Sequence, residues 1–140
     1  MKTIDDFNGN YRFLSNFYPC TVEYEGITYP SNEHYYVAMK TTDLNLRREV
    51  ANVSTPGQVK RFGRAMEIRP DWDSVKLQVM EYGLRQKFSD PSLAQMLKDT
   101  GDAQLVEGNT WGDTYWGICK GVGHNYLGKL LMKVREDIMV

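Results

Sequence analysis

Long apolar runs, paired cysteines and an excess of one charge are all missing from this sequence of 140 residues. Without a run of about 18 apolar residues, no membrane-spanning helix is expected. The first ten residues carry no apolar core of a secretory signal either. Lys plus Arg is 17 and Asp plus Glu is 18, a formal net charge of -1. This balance argues against sequence-blind binding of nucleic acid, although it leaves room for a site for one nucleotide.

Cysteine and histidine are also scarce. Cys20 and Cys119 are too few for a disulfide framework, so we expect a reducing compartment and a cytoplasmic protein. His34 and His124 do not form a metal signature with two isolated cysteines; we interpret both as structural and expect no metal and no cofactor. With 41% hydrophobic and 25% charged residues, the composition is that of a globular protein, and the length fits one domain over residues 1–140.

Turn and capping signals predict where the elements begin. Residues 20–29 alternate around Glu25-Gly26, which indicates a short hairpin. Ser31 is a good N-cap for a helix that runs to about Lys40. Thr55-Pro56 and Asp90-Pro91 each combine a capping residue with proline at the first helical position, so both predict helix starts.

Apolar spacing predicts the two longest helices. One, capped by Asp71 or Asp73, has an apolar face whose members recur at helical spacing: Leu77, Met80, Leu84 and Phe88. The last helix, about 125–138, is expected to bury Leu127, Leu130, Leu131, Val134 and Ile138. With a short strand at 103–107, the sequence predicts a single α+β domain that is mainly helical and has a small β-sheet.

Helix cores do not explain three segments in which polar and aromatic residues are mixed. In the first, residues 12–19, the hydrogen-bonding groups Arg12, Ser15 and Asn16 stand among aromatic side chains. This segment is either a ligand contact or a turn whose Ser and Asn satisfy backbone groups.

The second segment, residues 29–40, contains Glu33 in the first turn of the predicted helix and Lys40 seven residues later, on the same helical face. A carboxylate can move a proton or stabilise positive charge at a sugar C1, and an amine can attack an opened, aldehyde-level carbon as a Schiff base. The alternative is a Glu that favours the helix dipole and a solvated surface lysine.

The third segment, residues 107–117, contains Trp111, Trp116, Asp113 and three glycines, a composition that suits neither helix nor strand. The tryptophan faces can stack on a base or a sugar, and Asp113 can bind ribose hydroxyls or support a cationic transition state. Alternatively, this is a tight loop whose tryptophans fill the core. Two weaker signals are a positive, aromatic corner at 63–72 and glycines before the last helix, whose amides can take an anion.

Taken together, these segments resemble the NADAR family, whose members are also called YbiA-like proteins. The resemblance keeps its order over nearly the whole chain and is carried by these motifs: Phe13-Leu14-Ser15-Asn16-Phe17, Tyr29-Pro30-Ser31, Glu33-His34, Lys40, Lys60, Gly63-Arg64, Asp71-Trp72, Lys87-Phe88, Thr100-Gly101, Leu105-Val106-Glu107, Trp111-Gly112-Asp113, Tyr115-Trp116-Gly117, Gly123, Asn125, Leu127-Gly128, Leu131-Met132 and Val134-Arg135. It implies a helical α+β fold and an N-glycosidase that cleaves a bond between ribose C1 and nitrogen.

The resemblance also implies substrates and roles. The substrate would be ADP-ribose on the guanine amino group, in DNA or a nucleotide, with transient contact to nucleic acid. A ribosylamino intermediate of the riboflavin pathway is the other class. Glu33 and Lys40 would be the catalytic pair, with Asp113 near the sugar. The aromatic walls would be Trp72, Trp111 and Trp116. The groups holding phosphate or ribose would be Arg12, Ser15, Asn16, Arg64 and Asn125.

Two further observations bear on this interpretation. A module that binds ADP-ribose or NAD without turnover would use the same tryptophans, but it would gain little from a carboxylate in its pocket. After Tyr35-Tyr36 the family pattern usually has Gln, whereas this chain has Val37. Substrate choice would therefore differ here if that Gln contacts the ligand.

Overall fold

A computed structural model describes residues 2–140 of the chain. The elements, in chain order, are β1 (Thr3–Ile4), a 3₁₀ helix (Gly9–Leu14), β2 (Pro19–Tyr24), β3 (Ile27–Ser31), α1 (Asn32–Ala38), α2 (Leu44–Ala51), α3 (Pro56–Arg64), α4 (Trp72–Lys87), α5 (Pro91–Lys98), β4 (Gln104–Leu105), β5 (Gly108–Asn109), β6 (Ile118–Cys119) and α6 (Tyr126–Ile138). Within these residues the strands form three two-stranded sheets, so the predicted mainly helical α+β class is confirmed. The described residues divide into two compact units, Asn16–Lys87 and the remainder.

In the unit Asn16–Lys87, a β-hairpin leads into helices α1–α4. Strands β2 and β3 pair antiparallel across a two-residue turn. Glu25 and Gly26 both have positive φ, 48° and 82°, the conformation that suits a tight hairpin turn. The hairpin is confirmed, although β3 continues past Pro30 to Ser31. Helix α1 contacts α2, α3 and α4, and its buried face packs into a core that includes Tyr29, Tyr35 and Val50.

Two expectations about these helices are wrong. Helix α1 ends at Ala38, so Lys40 lies in the turn that follows and not on the helix. Leu77 is 37% exposed, whereas Met80 and Leu84 are buried. The buried stripe of α4 centres on Met80, Gly83, Leu84 and Lys87. At about 100° per residue Leu77 falls on the edge of that stripe, toward solvent.

In the second unit, α6 packs on β4 and α5, and α5 contacts the 3₁₀ helix. Strand β4 pairs in parallel with β1, and it is shorter than the strand predicted at 103–107. The predicted start of α5 is confirmed, because Asp90 accepts hydrogen bonds from the backbone N–H groups of Ser92 and Leu93. Of the five residues expected to be buried on α6, Leu127, Leu131 and Val134 are buried, whereas Leu130 and Ile138 are half-buried. No helix within residues 2–140 combines the length and apolar character needed to cross a membrane.

Candidate functional site

The start of α1 is fixed by Ser31 and His34. The Ser31 hydroxyl oxygen accepts the backbone N–H of His34 at 3.1 Å and lies 2.6 Å from the His34 Nδ1. The other ring nitrogen, Nε2, lies 2.8 Å from the backbone carbonyl of Val53 and must donate to it. Nδ1 of the neutral ring therefore accepts from the Ser31 hydroxyl. Both ring nitrogens of His34 are thus hydrogen-bonded within the protein, which gives this histidine a structural role, and burial lowers its pKa.

Glu33 occupies the first turn of α1 and is half-buried. Its backbone N–H donates to the carbonyl of Asn16 at 3.0 Å. The Asn16 side-chain oxygen accepts from the amide of Asn32 at 2.9 Å, so Asn16 is bound twice at the start of this helix. A Cβ on Gly83 would collide with the Asn32 amide oxygen, which shows how closely α4 approaches there. The predicted contact of Asn16 with phosphate or ribose stays a prediction.

Lys40 is held by the backbone that follows α1. Its own N–H donates to the Val37 carbonyl at 3.1 Å, and its carbonyl accepts from the N–H of Arg69 at 2.8 Å. The side-chain Nζ lies 5.4 Å from the centre of the Tyr36 ring. It also lies against α3, since a Cβ placed on Gly63 would be 3.8 Å from it. The amine therefore lies close to an aromatic ring and to a helix backbone that has no side chain at that point.

Burial lowers the pKa of Lys40 below its ordinary value of 10.5. The carboxylate of Glu33 raises this pKa and the ammonium groups of Lys60 and Lys76 lower it further. Desolvation disfavours the ammonium and like charges do the same, whereas an opposite charge favours it. The structure thus brings the predicted pair, Glu33 and Lys40, into one electrostatic environment, with burial as the larger influence.

Sequence reasoning assigned no role to Lys60 and missed Lys76. Lys60 precedes Gly63 by three residues on α3, and Lys76 follows Trp72 by four on α4. Residues at these spacings share a helical face. Lys60 therefore lies on the same face of α3 as Gly63, which approaches the Lys40 amine. Lys76 lies on the same face of α4 as Trp72, which packs against Tyr36. The Lys76 side chain is 19% exposed and lies 3.1 Å from the Asp73 carboxylate. Helical spacing alone could not identify these two lysines, because their position near Lys40 depends on how α3 and α4 pack.

Trp72 and Arg64 differ sharply in exposure. Trp72 is 8% exposed, and its ring meets that of Tyr36 edge to face at 5.2 Å. Arg64 is exposed in the last turn of α3, next to Gly63.

In the predicted positive corner, the Arg69 guanidinium binds the Asp71 carboxylate at 2.6 and 3.0 Å. The pKa of Asp71 is lowered chiefly by this hydrogen bonding to Arg69.

Asp113 organises the glycine-rich loop of the second unit. One carboxylate oxygen accepts the backbone N–H groups of Tyr115 at 3.1 Å and Trp116 at 2.9 Å. Asn109 brackets the same residue, since its side chain accepts the Asp113 N–H at 3.0 Å and donates to the Asp113 carbonyl at 2.9 Å. Asn109 also donates to the Glu107 carboxylate at 2.9 Å. Asn109 and Glu107 are thus loop-forming residues that sequence reasoning left without a role.

The tryptophans of this loop have unequal surroundings. Trp111 is 63% exposed, so it does not fill a core. Trp116 is half-buried and meets Tyr115 edge to face at 4.7 Å. Tyr115 also contacts Tyr126, on which the exposed His124 stacks at 5.0 Å. The loop therefore presents one exposed indole beside a packed aromatic cluster.

The remaining predicted contacts lie in the same unit. The Asn125 amide is buried; it accepts the Glu107 N–H and donates to the Leu105 carbonyl, both at 2.9 Å. Arg12 is an exposed residue of the 3₁₀ helix, and Ser15 ends that helix with its N–H on the Arg12 carbonyl. Their contacts with phosphate or ribose stay predictions. Residues 2–140 contain no cluster of three or more His, Cys, Asp or Glu side chains placed to hold a metal.

Comparison with known proteins identifies a family that spans the chain. The family model described as "NADAR domain" matches residues 5–139. N-glycosidase YbiA of Escherichia coli K12 is 41% identical over 143 residues, which cover 99% of this chain and 86% of that protein. The solution structure of Escherichia coli YbiA superposes with a TM-score of 0.84 at 39% identity, covering 99% of this chain and 87% of that one.

Longer proteins contain a similar segment. A riboflavin biosynthesis protein of Vibrio vulnificus is 39% identical over 133 residues, which cover 92% of this chain but 36% of that protein. A chloroplastic riboflavin biosynthesis protein of Zea mays is 34% identical, with 99% of this chain and 24% of that protein covered. This chain thus spans about a third or less of each of these two proteins.

Proposed function

Because the chain belongs to the NADAR family, we propose that it is an N-glycosidase that hydrolyses a bond between ribose C1 and nitrogen, and that its substrate is ADP-ribose attached to the guanine amino group of DNA or a nucleotide. Relatives that match nearly its full length are named N-glycosidases, which supports the reaction class. The guanine-linked substrate rests on the resemblance that the sequence motifs carry.

The observation that carries the proposal is the environment of the Lys40 amine. The amine is half-buried beside the Tyr36 ring, and it shares its surroundings with the Glu33 carboxylate. An amine acts as a nucleophile in its uncharged form, and burial favours that form. A protein that only bound a polyphosphate would gain little from a carboxylate in this pocket.

The proposed reaction uses both groups. Glu33 starts as the protonated carboxylic acid and gives its proton to the ribose ring oxygen, while the exocyclic nitrogen pushes its electron pair toward C1 and the ring opens as a protonated imine. The Lys40 amine adds to C1, Glu33 relays a proton from the lysine nitrogen to the base nitrogen, and the C1–N bond to the base breaks. Water hydrolyses the remaining lysine imine and the sugar ring closes. One water is consumed, and both catalytic groups return to their starting state.

A second substrate class is favoured by two relatives. Proteins of Vibrio vulnificus and Zea mays that contain a similar segment are named for riboflavin biosynthesis. A ribosylamino intermediate of that pathway carries the same C1–N bond, so the same two residues would act on it.

A third candidate, an ADP-ribose or NAD-binding module without turnover, draws support from the exposed Trp111.

One assay separates the three candidates. The purified protein is offered ADP-ribosylated guanine in single-stranded DNA, the free nucleoside form, and a ribosylamino intermediate, each with EDTA, and products are followed by mass spectrometry. We expect release of ADP-ribose with chelator present. Turnover of the ribosylamino compound alone would move the substrate to the second class. Tight binding of ADP-ribose without turnover of any substrate would favour the third candidate, a module that binds ADP-ribose or NAD without turnover.

A further inference from the structure

The side chain next to the Lys40 amine is apolar in this chain. Val37 lies three residues before Lys40 and is 1% exposed. A Cβ placed on Gly63 would be 3.0 and 3.3 Å from the two γ-carbons of Val37, and 3.8 Å from the Lys40 Nζ. The valine methyl groups and the amine therefore lie against the same point of the α3 backbone.

Charged groups face the amine from three helices. Glu33 comes from α1, Lys60 from α3 and Lys76 from α4, and the Tyr36 ring covers another side. The carboxylate favours the ammonium and the two lysines oppose it, so these charges partly offset one another. What decides the balance is desolvation, and Val37 and Gly63 offer the amine no polar side-chain atom to bind.

We propose that Val37 is a positioning residue which, together with Gly63, forms an apolar seat for the Lys40 amine and favours its uncharged, nucleophilic form. A side chain with an oxygen at position 37 would accept a hydrogen bond from the ammonium and favour the charged form. The catalytic meaning of this inference rests on the proposed function, but its electrostatic part is measurable without a substrate.

The test uses an isosteric substitution. Val37→Thr keeps the volume and adds one hydroxyl, whereas Val50→Thr adds the same hydroxyl on α2. Val50 is 0% exposed in the same core, so it is the matched control. The protonation of Lys40 is followed by competitive acetylation of the intact protein across pH, with the Lys40 peptide quantified by mass spectrometry. Thermal unfolding of each variant is measured alongside.

We expect Val37→Thr to raise the pKa of Lys40 and to slow its acetylation at neutral pH, and Val50→Thr to leave both unchanged. Val37→Ala, which admits water to the seat, should act in the same direction if Val37→Thr folds poorly. Unchanged Lys40 acetylation in both Val37 variants, or an equal change in Val50→Thr, would overturn the inference.

Kinetics separate this inference from the proposed function. With an accepted substrate, Val37→Thr should lower kcat at pH 7 by about three- to ten-fold, since each unit of pKa changes the neutral fraction about ten-fold. KM should stay unchanged, and kcat should recover at higher pH. A shift in Lys40 acetylation in a protein that turns over no substrate would contradict the proposed function and leave the apolar seat standing. Normal turnover by wild type, with no change of Lys40 acetylation in the Val37 variants, would support the proposed function and contradict the apolar seat.

Discussion

Ser31 and His34 are bound to each other twice, once through the backbone and once through the side chains. The Ser31 hydroxyl accepts the His34 N–H at 3.1 Å and donates to the ring Nδ1 at 2.6 Å. Protonating the ring would place a hydrogen on the acceptor of the second bond. The first turn of α1, which contains Glu33, thus depends on a neutral histidine.

This dependence predicts an acid-sensitive stability. Because burial lowers the pKa of His34 below 6.5, the unfolded chain binds more protons than the folded one between the lowered pKa and about 6.5. The free energy of unfolding should therefore decrease as pH falls below about 6.5. Urea denaturation between pH 5 and pH 7.5 measures this decrease.

Two variants assign the effect to one histidine. His34→Gln should remove this component of the pH dependence, at a cost of about 1–3 kcal/mol for the buried bonds it weakens. His124→Gln changes an exposed histidine and should keep the component. If the acid-side decrease persists in His34→Gln and vanishes in His124→Gln, the assignment is wrong.

Trp111 is expected to contribute to ligand binding and little to stability. Its side chain is 63% exposed, so Trp111→Ala should change the free energy of unfolding by no more than about 0.5 kcal/mol. If the indole stacks on a base, ADP-ribose affinity should weaken by about 1–3 kcal/mol. Calorimetric titration and thermal unfolding of the same samples give both quantities.

Trp116 provides the comparison within the same loop. It is half-buried against Tyr115, so Trp116→Ala should reduce stability as well as affinity. Unchanged affinity per folded molecule in both tryptophan variants would show that the loop does not bind the ligand.

Asp113 is tested by two substitutions that differ in one respect. Asp113→Asn keeps an oxygen that can accept the N–H groups of Tyr115 and Trp116, whereas Asp113→Ala removes it. If the carboxylate charge supports a cationic transition state, Asp113→Asn should reduce kcat by about ten-fold or more while the melting temperature stays near wild type. Full activity in Asp113→Asn, with loss in Asp113→Ala alone, would limit this residue to loop structure.

Local signals predicted the starts of α1, α3 and α5 correctly because each of these starts depends on bonds between near neighbours, whereas α2, which Asp43 caps, was not predicted. Ser31, Thr55 and Asp90 all accept the backbone N–H groups that capping requires, and Glu25-Gly26 has the backbone of a hairpin turn. The end of α1 was not predicted. There the chain leaves the helix after Ala38, and the Lys40 carbonyl accepts from Arg69, a partner remote in sequence.

The candidate site was predictable in its residue types but not in its surroundings. Glu33 and Lys40 stand out because a carboxylate and an amine seven residues apart suit the same chemistry. Gly63 and Lys76 reach Lys40 through the packing of α3 and α4, which no local pattern encodes. The two-way binding of Asn16 at the start of α1 is likewise a tertiary contact.

In the proposed reaction the Lys40 amine attacks the sugar, so the covalent intermediate can be trapped. Borohydride is added during turnover of ADP-ribosylated guanine, and the digested protein is mapped by mass spectrometry. We expect an ADP-ribosyl adduct on Lys40 in wild type, and in Lys40→Ala no adduct and no turnover while free ADP-ribose still binds. Near-normal turnover by Lys40→Ala, or no adduct while product accumulates in wild type, would contradict it and leave the carboxylates to act without the amine.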